Sequence, residues 1–157
     1  MQAKTTKAFL QLLKISIGVS PAESFEPLTP EEWEAVFRIT SKQALIGVTS
    51  LGIQKLEGDA KPPRTLRFNW LYTAERITKL NNQINEAGIK IGQSFKEAGF
   101  DSCVLKGQGV AQLYPIPDLR QAGDIDMWLS GDRKNIIEIV TAQCQRTHAI
   151  YHHMDGL

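Results

Sequence analysis

Between Pro63 and Ala98, Leu66, Trp70, Ile77, Leu80, Ile84, Ala87, Ile91 and Phe95 recur at steps of three, four or seven residues. Only a helix brings that spacing to one face, so the pattern predicts one long helix through most of the middle of the chain. Leu71, Ala74 and Leu80 widen the stripe beyond a narrow seam, which favours the core helix of a bundle over a coiled-coil dimer. Gly88 and Gly92 are places where it can bend or admit another helix closely. Asn81-Asn82-Gln83 interrupts the stripe and reads as a solvated face.

Shorter helices are expected ahead of it. The first covers residues 5 to about 18 and ends near Gly18. Lys4 and Lys7 precede an apolar stretch, Ala8 to Val19, as in a secretory leader, but Gln11 and Lys14 break that stretch. Phe9, Leu10, Leu13 and Ile17 fall at helical spacing, so an amphipathic helix is the better reading. The second helix is announced by Thr29 as N-cap, Pro30 at the first helical position and Glu31 and Glu32 at the positive end of the dipole. Trp33, Val36 and Phe37 form its buried stripe. A third is expected over residues 41 to 56, with Leu45, Val48, Leu51 and Ile53 toward the core. Residues 58 to 63 form a loop.

Composition narrows the function classes more than it names one. Hydrophobic residues at 42% and charged residues at 22% suit a globular protein with one core, or two small units sharing one. With 18 basic and 17 acidic residues the net charge is +1, which argues against a surface built to hold nucleic acid or an anionic membrane while leaving room for a local basic pocket. No run approaches the roughly 18 apolar residues of a membrane span. Cys103 and Cys144 belong to no CxxC pattern and read as buried free thiols of a reducing compartment. The expected location is the cytoplasm.

At Gly99 the pattern changes. Ser102 to Lys106 reads as a buried strand, Gly107-Gln108-Gly109 as a turn, and Val110 to Tyr114 as a short helix. Pro115 and Pro117 then force an extended loop through Asp118-Leu119-Arg120 to Gly123-Asp124-Ile125-Asp126-Met127-Trp128-Leu129. The last run reads as a strand, so Asp124 and Asp126 would share one face about 6.6 Å apart, with Ile125, Met127 and Leu129 on the other. Two carboxylates on one face repel unless a cation compensates them. A hard divalent ion that also takes phosphate oxygens is the natural compensator, although the same pattern occurs at strand ends where both acids are simply solvated. Beyond Ser130-Gly131-Asp132, a helix over residues 133 to 145 buries Ile136, Ile137, Ile139 and Val140, and residues 148 to 153 form a further strand. The adjacent His152 and His153 would face opposite ways and make a poor metal pair. The fold class expected is α+β: a helical region, residues 1–100, followed by a small mixed sheet with flanking helices, residues 101–157.

A strand ending in glycine, a helix start and a second strand bearing paired acids resembles the polymerase-beta-like nucleotidyltransferase superfamily. Leu105-Lys106-Gly107, Leu113-Tyr114-Pro115, Leu119-Arg120 and Gly123-Asp124-Ile125-Asp126 are similar to an uncharacterised bacterial nucleotidyltransferase-like family in which a Lys-Gly turn replaces the usual one. The similarity covers roughly residues 101 to 157. It implies that Asp124 and Asp126 hold magnesium or manganese bridging a nucleoside triphosphate, and that Gly107 and Gln108 form the phosphate-holding turn. Lys106 would contact phosphate, and Arg120 either phosphate or an acid, unless both are surface charge. Gln108 departs from the Ser or Gly usual in the superfamily, and the spacer to Asp124 is long. Family members are longer and carry a third acid on a later strand, for which Asp155 and Glu138 are the remaining candidates here. The 157-residue chain is therefore expected to be inactive alone, with turnover in a longer protein. Tyr114 and Trp128 are assigned to the core, with Trp128 otherwise stacking on a base. The expected activity is metal-dependent transfer of a nucleoside monophosphate to an unknown acceptor, a long nucleic acid being the least favoured. The alternatives are an inactive nucleotide-binding or regulatory module on the same fold, and a helical interaction scaffold.

Overall fold

A computed structural model describes residues 2–121 and 123–147. Its elements are α1 (Gln2–Ser16), α2 (Pro30–Lys42), α3 (Ile46–Lys55), α4 (Arg64–Glu97), β1 (Ser102–Leu105), α5 (Gly107–Ala111), β2 (Asp126–Leu129) and α6 (Arg133–Thr147). This is an α+β fold. The expected strand over residues 148 to 153, and with it His152, His153 and Asp155, lies outside the described residues.

Helix boundaries follow from local chemistry. At α2, the Thr29 hydroxyl accepts from the Glu32 N–H at 3.3 Å while the Glu32 carboxylate accepts from the Thr29 N–H at 2.9 Å, a complete capping box with Pro30 at the first position. Lys4 donates to the same carboxylate at 2.7 Å. The Lys4 hydrogen bond first, then the one from the Thr29 backbone, holds the Glu32 carboxyl below its ordinary range. Glu31 is lowered too, mainly by a backbone N–H and then by the Thr29 side chain. At α4, Gly99 takes φ +87° and the Phe100 N–H reaches back to the Phe95 carbonyl at 2.9 Å, closing the last turn as the sequence predicts. Between α2 and α3 the sequence misleads: Ala44 adopts φ +56° and the Leu45 N–H bonds the Thr40 carbonyl at 3.0 Å. Residues 41 and 42 thus finish α2, and the third helix begins only at Ile46.

The core gathers Leu12 and Ile15 of α1, Phe25, Trp33 and Val36 around α2, Ile46 and Ile53 of α3, and Leu66, Trp70 and Ile77 of α4. Trp33 stacks on Phe25 and meets Trp70 edge-on. The Trp70 indole donates to the Ile46 carbonyl and the Thr49 hydroxyl, whereas the buried Trp33 Nε1 has no partner among the described residues. Gly52 lets α3 rest on α1, since a Cβ there would stand 2.6 Å from Ser16 Oγ.

Helix α4 has 34 residues, roughly 50 Å of rise. Its first half closes the bundle and its second half carries the sheet. The expected stripe is partly corrected: Leu66, Trp70, Ala74, Ile77 and Phe95 are buried, but Leu80 is 48% exposed and Leu71 and Ile91 are also exposed. The position between Ile77 and Ile84 that faces inward is Asn81, 1% exposed, which overturns the solvated reading for Asn81, whereas Asn82 and Gln83 are exposed as expected. The neighbour admitted at Gly92 is the sheet, not a helix, with Ser102 Oγ and Met127 Cε 3.4 and 3.7 Å from a Cβ built there.

Strands β1 and β2 pair antiparallel, Ser102 with Leu129 through Leu105 with Asp126. Ser130 extends the ladder by donating its N–H to the Asp101 carbonyl and accepting the Asp101 N–H on its hydroxyl. The strand expected to be buried is only half so: Val104 faces α4 while Cys103 and Leu105 are exposed. Cys103 is therefore an exposed free thiol, and Trp128, opposite it, is 50% exposed, contrary to a core assignment for both. Cys103 and Trp128 share the sheet face turned away from α4, which is left largely open. Tyr114 and the α6 isoleucines are half-buried. Among the described residues, no helix is long and apolar enough to cross a membrane.

Candidate functional site

The site begins where β1 ends. Lys106 has φ +45° and ψ −129°, a conformation that L side chains adopt only under constraint and that costs about 1–3 kcal/mol. The constraint comes from packing: α5 folds back over β1 so closely that a Cβ on Gly109 would stand 2.9 Å from the Val104 carbonyl oxygen. A Cβ on Gly107 would be 3.4 Å from the backbone oxygen of Asp124, so the turn rests against the segment that carries the acids.

The strained turn aims the Lys106 side chain across the ladder. Its Nζ lies 3.8 Å from Asp126 Oδ2, Asp126 being the register partner of Leu105. Lys106 is well exposed, so the pair is loose and contributes ~0–1 kcal/mol. Asp126 opens β2, whereas Asp124 lies two residues before it, exposed and outside the strand. The two acids therefore do not share a strand face through regular pleating, and their relative placement rests on the Gly123–Ile125 backbone. Glu138 is exposed on α6. No group of three acid, histidine or cysteine side chains that could hold a metal occurs among the described residues. Two carboxylates beside a lysine fit a hard divalent ion that draws its other ligands from water and phosphate, and would not suit a softer metal.

The remaining predicted residues meet through one that sequence reading missed. Arg120 follows the 3-10 turn Pro117–Leu119, is half-buried, and donates its N–H to the Pro117 carbonyl at 3.1 Å. Its own carbonyl and that of Asp118 accept from Asn81 Nδ2 at 2.7 and 2.6 Å. On the other side, Gln108 Nε2 approaches Asn81 Oδ1 at 3.4 Å. Gly47 of α3 completes the seat of the loop: a Cβ there would overlap the Leu119 carbonyl oxygen and stand 2.9 Å from its carbon. The signal for Asn81 was present as a polar residue four beyond Ile77 in the buried series, a position where a side chain must find partners.

A cavity of about 500 Å³ lies on the opposite face of the sheet, lined by Ile84, Gly88, Val104, Gln108, Gly109 and Met127 among others. It shares the turn with the acids but sits on the α4 side, whereas Asp126 projects away from α4. This cavity and the charged residues are thus separate features of the same turn.

No curated protein and no solved structure matches the chain. A family model does, over residues 29–154, which takes in helices α2 to α4 as well as the turn and the acids, well beyond the stretch from residue 101 that carries the motifs. The match spans more than half of the sequence, and the chain belongs to the family it describes, the uncharacterised nucleotidyltransferases.

Proposed function

We propose that this chain carries out metal-dependent nucleotidyl transfer, moving a nucleoside monophosphate from a nucleoside triphosphate to an acceptor and releasing pyrophosphate. The observation that carries the reading is the Lys106 turn: it brings a cation within 3.8 Å of Asp126 and rests Gly107 against the backbone of Asp124. Membership of the family and the polymerase-beta-like order of turn and acids support the same assignment. Asp124 and Asp126 would hold magnesium or manganese, which would neutralise charge on the phosphates. Lys106 and Arg120 bind phosphate oxygens, and the backbone at Gly107 and Gln108 lets the triphosphate approach. The acceptor hydroxyl or amine attacks the alpha-phosphorus in line, its bond to phosphorus forming as the bond to the pyrophosphate oxygen breaks; pyrophosphate leaves with the bonding electron pair, and the acceptor's proton passes to solvent. Catalysis then rests on positioning and charge compensation.

A second reading, a nucleotide-binding module without turnover, is favoured by the absence of a third clustered acid among the described residues. Calorimetry with magnesium and each nucleoside triphosphate, together with pyrophosphate release, separates the two. Asp124→Asn and Asp126→Asn should each weaken magnesium-dependent binding by ~10-fold or more, the loss expected when a charged contact is removed. Unchanged affinity in both variants would overturn the metal assignment, and binding without pyrophosphate release would select the module.

A further inference from the structure

Two helices of the bundle hold the backbone of the half-buried loop from Pro117 to Arg120. Asn81 donates both amide hydrogens to it, at 2.6 and 2.7 Å, from a position with 1% exposure. The two donors and the acceptor of its amide are all engaged, and flipping the amide would set its oxygen against two carbonyls. Gly47 is seated on the intervening Leu119 carbonyl. The side-chain oxygen of Asn81 is turned toward Gln108, in the turn after β1.

From this we infer that Asn81 is a positioning residue for the nucleotide site. It joins the loop bearing Arg120 to the turn bearing Lys106, Gly107 and Gln108, two segments that no regular strand pairing connects, and fixes both to the helical bundle. The inference rests on the nucleotide-binding reading for its purpose, but the clamp itself is a property of the free protein. Asn81→Asp keeps the shape and replaces both donors with an acceptor that faces two carbonyl oxygens. The loop is then released while the bundle, whose apolar core ends at Ile77 on this helix, stays folded.

Two measurements decide it. Hydrogen exchange on the free protein should show the amides of Leu119 and Arg120, which bond the Ile116 and Pro117 carbonyls, losing ~10-fold or more of their protection in Asn81→Asp, with α1 to α3 unchanged. Magnesium-ATP affinity in a double-mutant cycle should show Asn81→Asp and Arg120→Ala each costing ~10-fold, and the double variant little more than either, because the first acts by placing the second. Unchanged exchange in the loop, or losses that multiply to ~100-fold as independent sites do, would overturn the inference. Should Asn81→Asp fail to fold, Gln108→Met removes the donor on the other side of the amide and leaves the interior of α4 intact. The same selective loss of loop protection is then expected, and none would count against the clamp. If wild-type protein binds no magnesium-ATP, the nucleotide reading falls while the exchange result still decides whether Asn81 holds the loop.

Discussion

Gly47→Ala reverses a familiar rule, and the reversal can be worked out from the contacts. Replacing glycine by alanine inside a helix ordinarily stabilises by up to ~1 kcal/mol. At Gly47 the added methyl would overlap the Leu119 carbonyl oxygen, a backbone atom that no rotamer change can move. Either α3 shifts within the core, at an overpacking cost of ~1–3 kcal/mol, or the loop retreats and strands the buried Asn81 amide, at ~1–3 kcal/mol for unmet hydrogen bonds. Both outcomes exceed the helix-propensity gain, so a net loss of ~1–3 kcal/mol is expected. Gly88→Ala is the control, because Gly88 also lies inside a helix but nothing stands within 4 Å of a Cβ there. It should stabilise by ~0.5–1 kcal/mol. Urea denaturation followed by the fluorescence of the buried Trp33 and Trp70 reports both variants. Gly47→Ala with stability equal to or above wild type would refute the seating of the loop on α3.

Thr29→Ala should cost about 1 kcal/mol by removing the side-chain acceptor of the capping box, as read by thermal denaturation. The Glu32 carboxyl is lowered in the fold from its ordinary 4.5, so the stability it contributes is fully present above that pH and lost as pH falls through the lowered folded value. An acid titration of stability should therefore show a component that Glu32→Gln lacks. At Lys106, positive φ makes glycine easier than any L residue, so Lys106→Gly should be more stable than Lys106→Ala by ~1 kcal/mol, while both lose affinity for phosphate-bearing ligands. Trp70→Phe should be more destabilising than Trp33→Phe by ~1–2 kcal/mol in urea melts, since it strands the acceptors of a satisfied indole while the other removes an unpartnered N–H.

What could be read ahead of the structure was whatever depends on neighbours in sequence. The cap at Thr29, the stop at Gly99, the long period of α4 and the turn after β1 are each decided within a few residues, by backbone hydrogen bonds and by where glycine or proline is tolerated. The Ala44 break is not legible in sequence because no glycine marks it: the left-handed residue there is exposed and is fixed by the backbone bonds from Ala44 and Leu45 to the Ser41 and Thr40 carbonyls. Trp128 and Cys103 were misassigned because alternation tells which residues share a sheet face, but not whether anything covers it.

The candidate site divides in the same way. The sequence by itself determined the residue types and their order: lysine and glycines after one strand, arginine in a proline-bounded loop, two acids before and at the start of the next. The tertiary structure alone decided that Lys106 faces Asp126, that Asp124 falls outside the strand, and that Arg120 is held by an asparagine 39 residues away. Those contacts join segments far apart in the chain, and their partners are mostly backbone carbonyls, which carry no residue identity. A side chain at a buried helix position announces that it needs partners. Only the fold says which carbonyls those partners are.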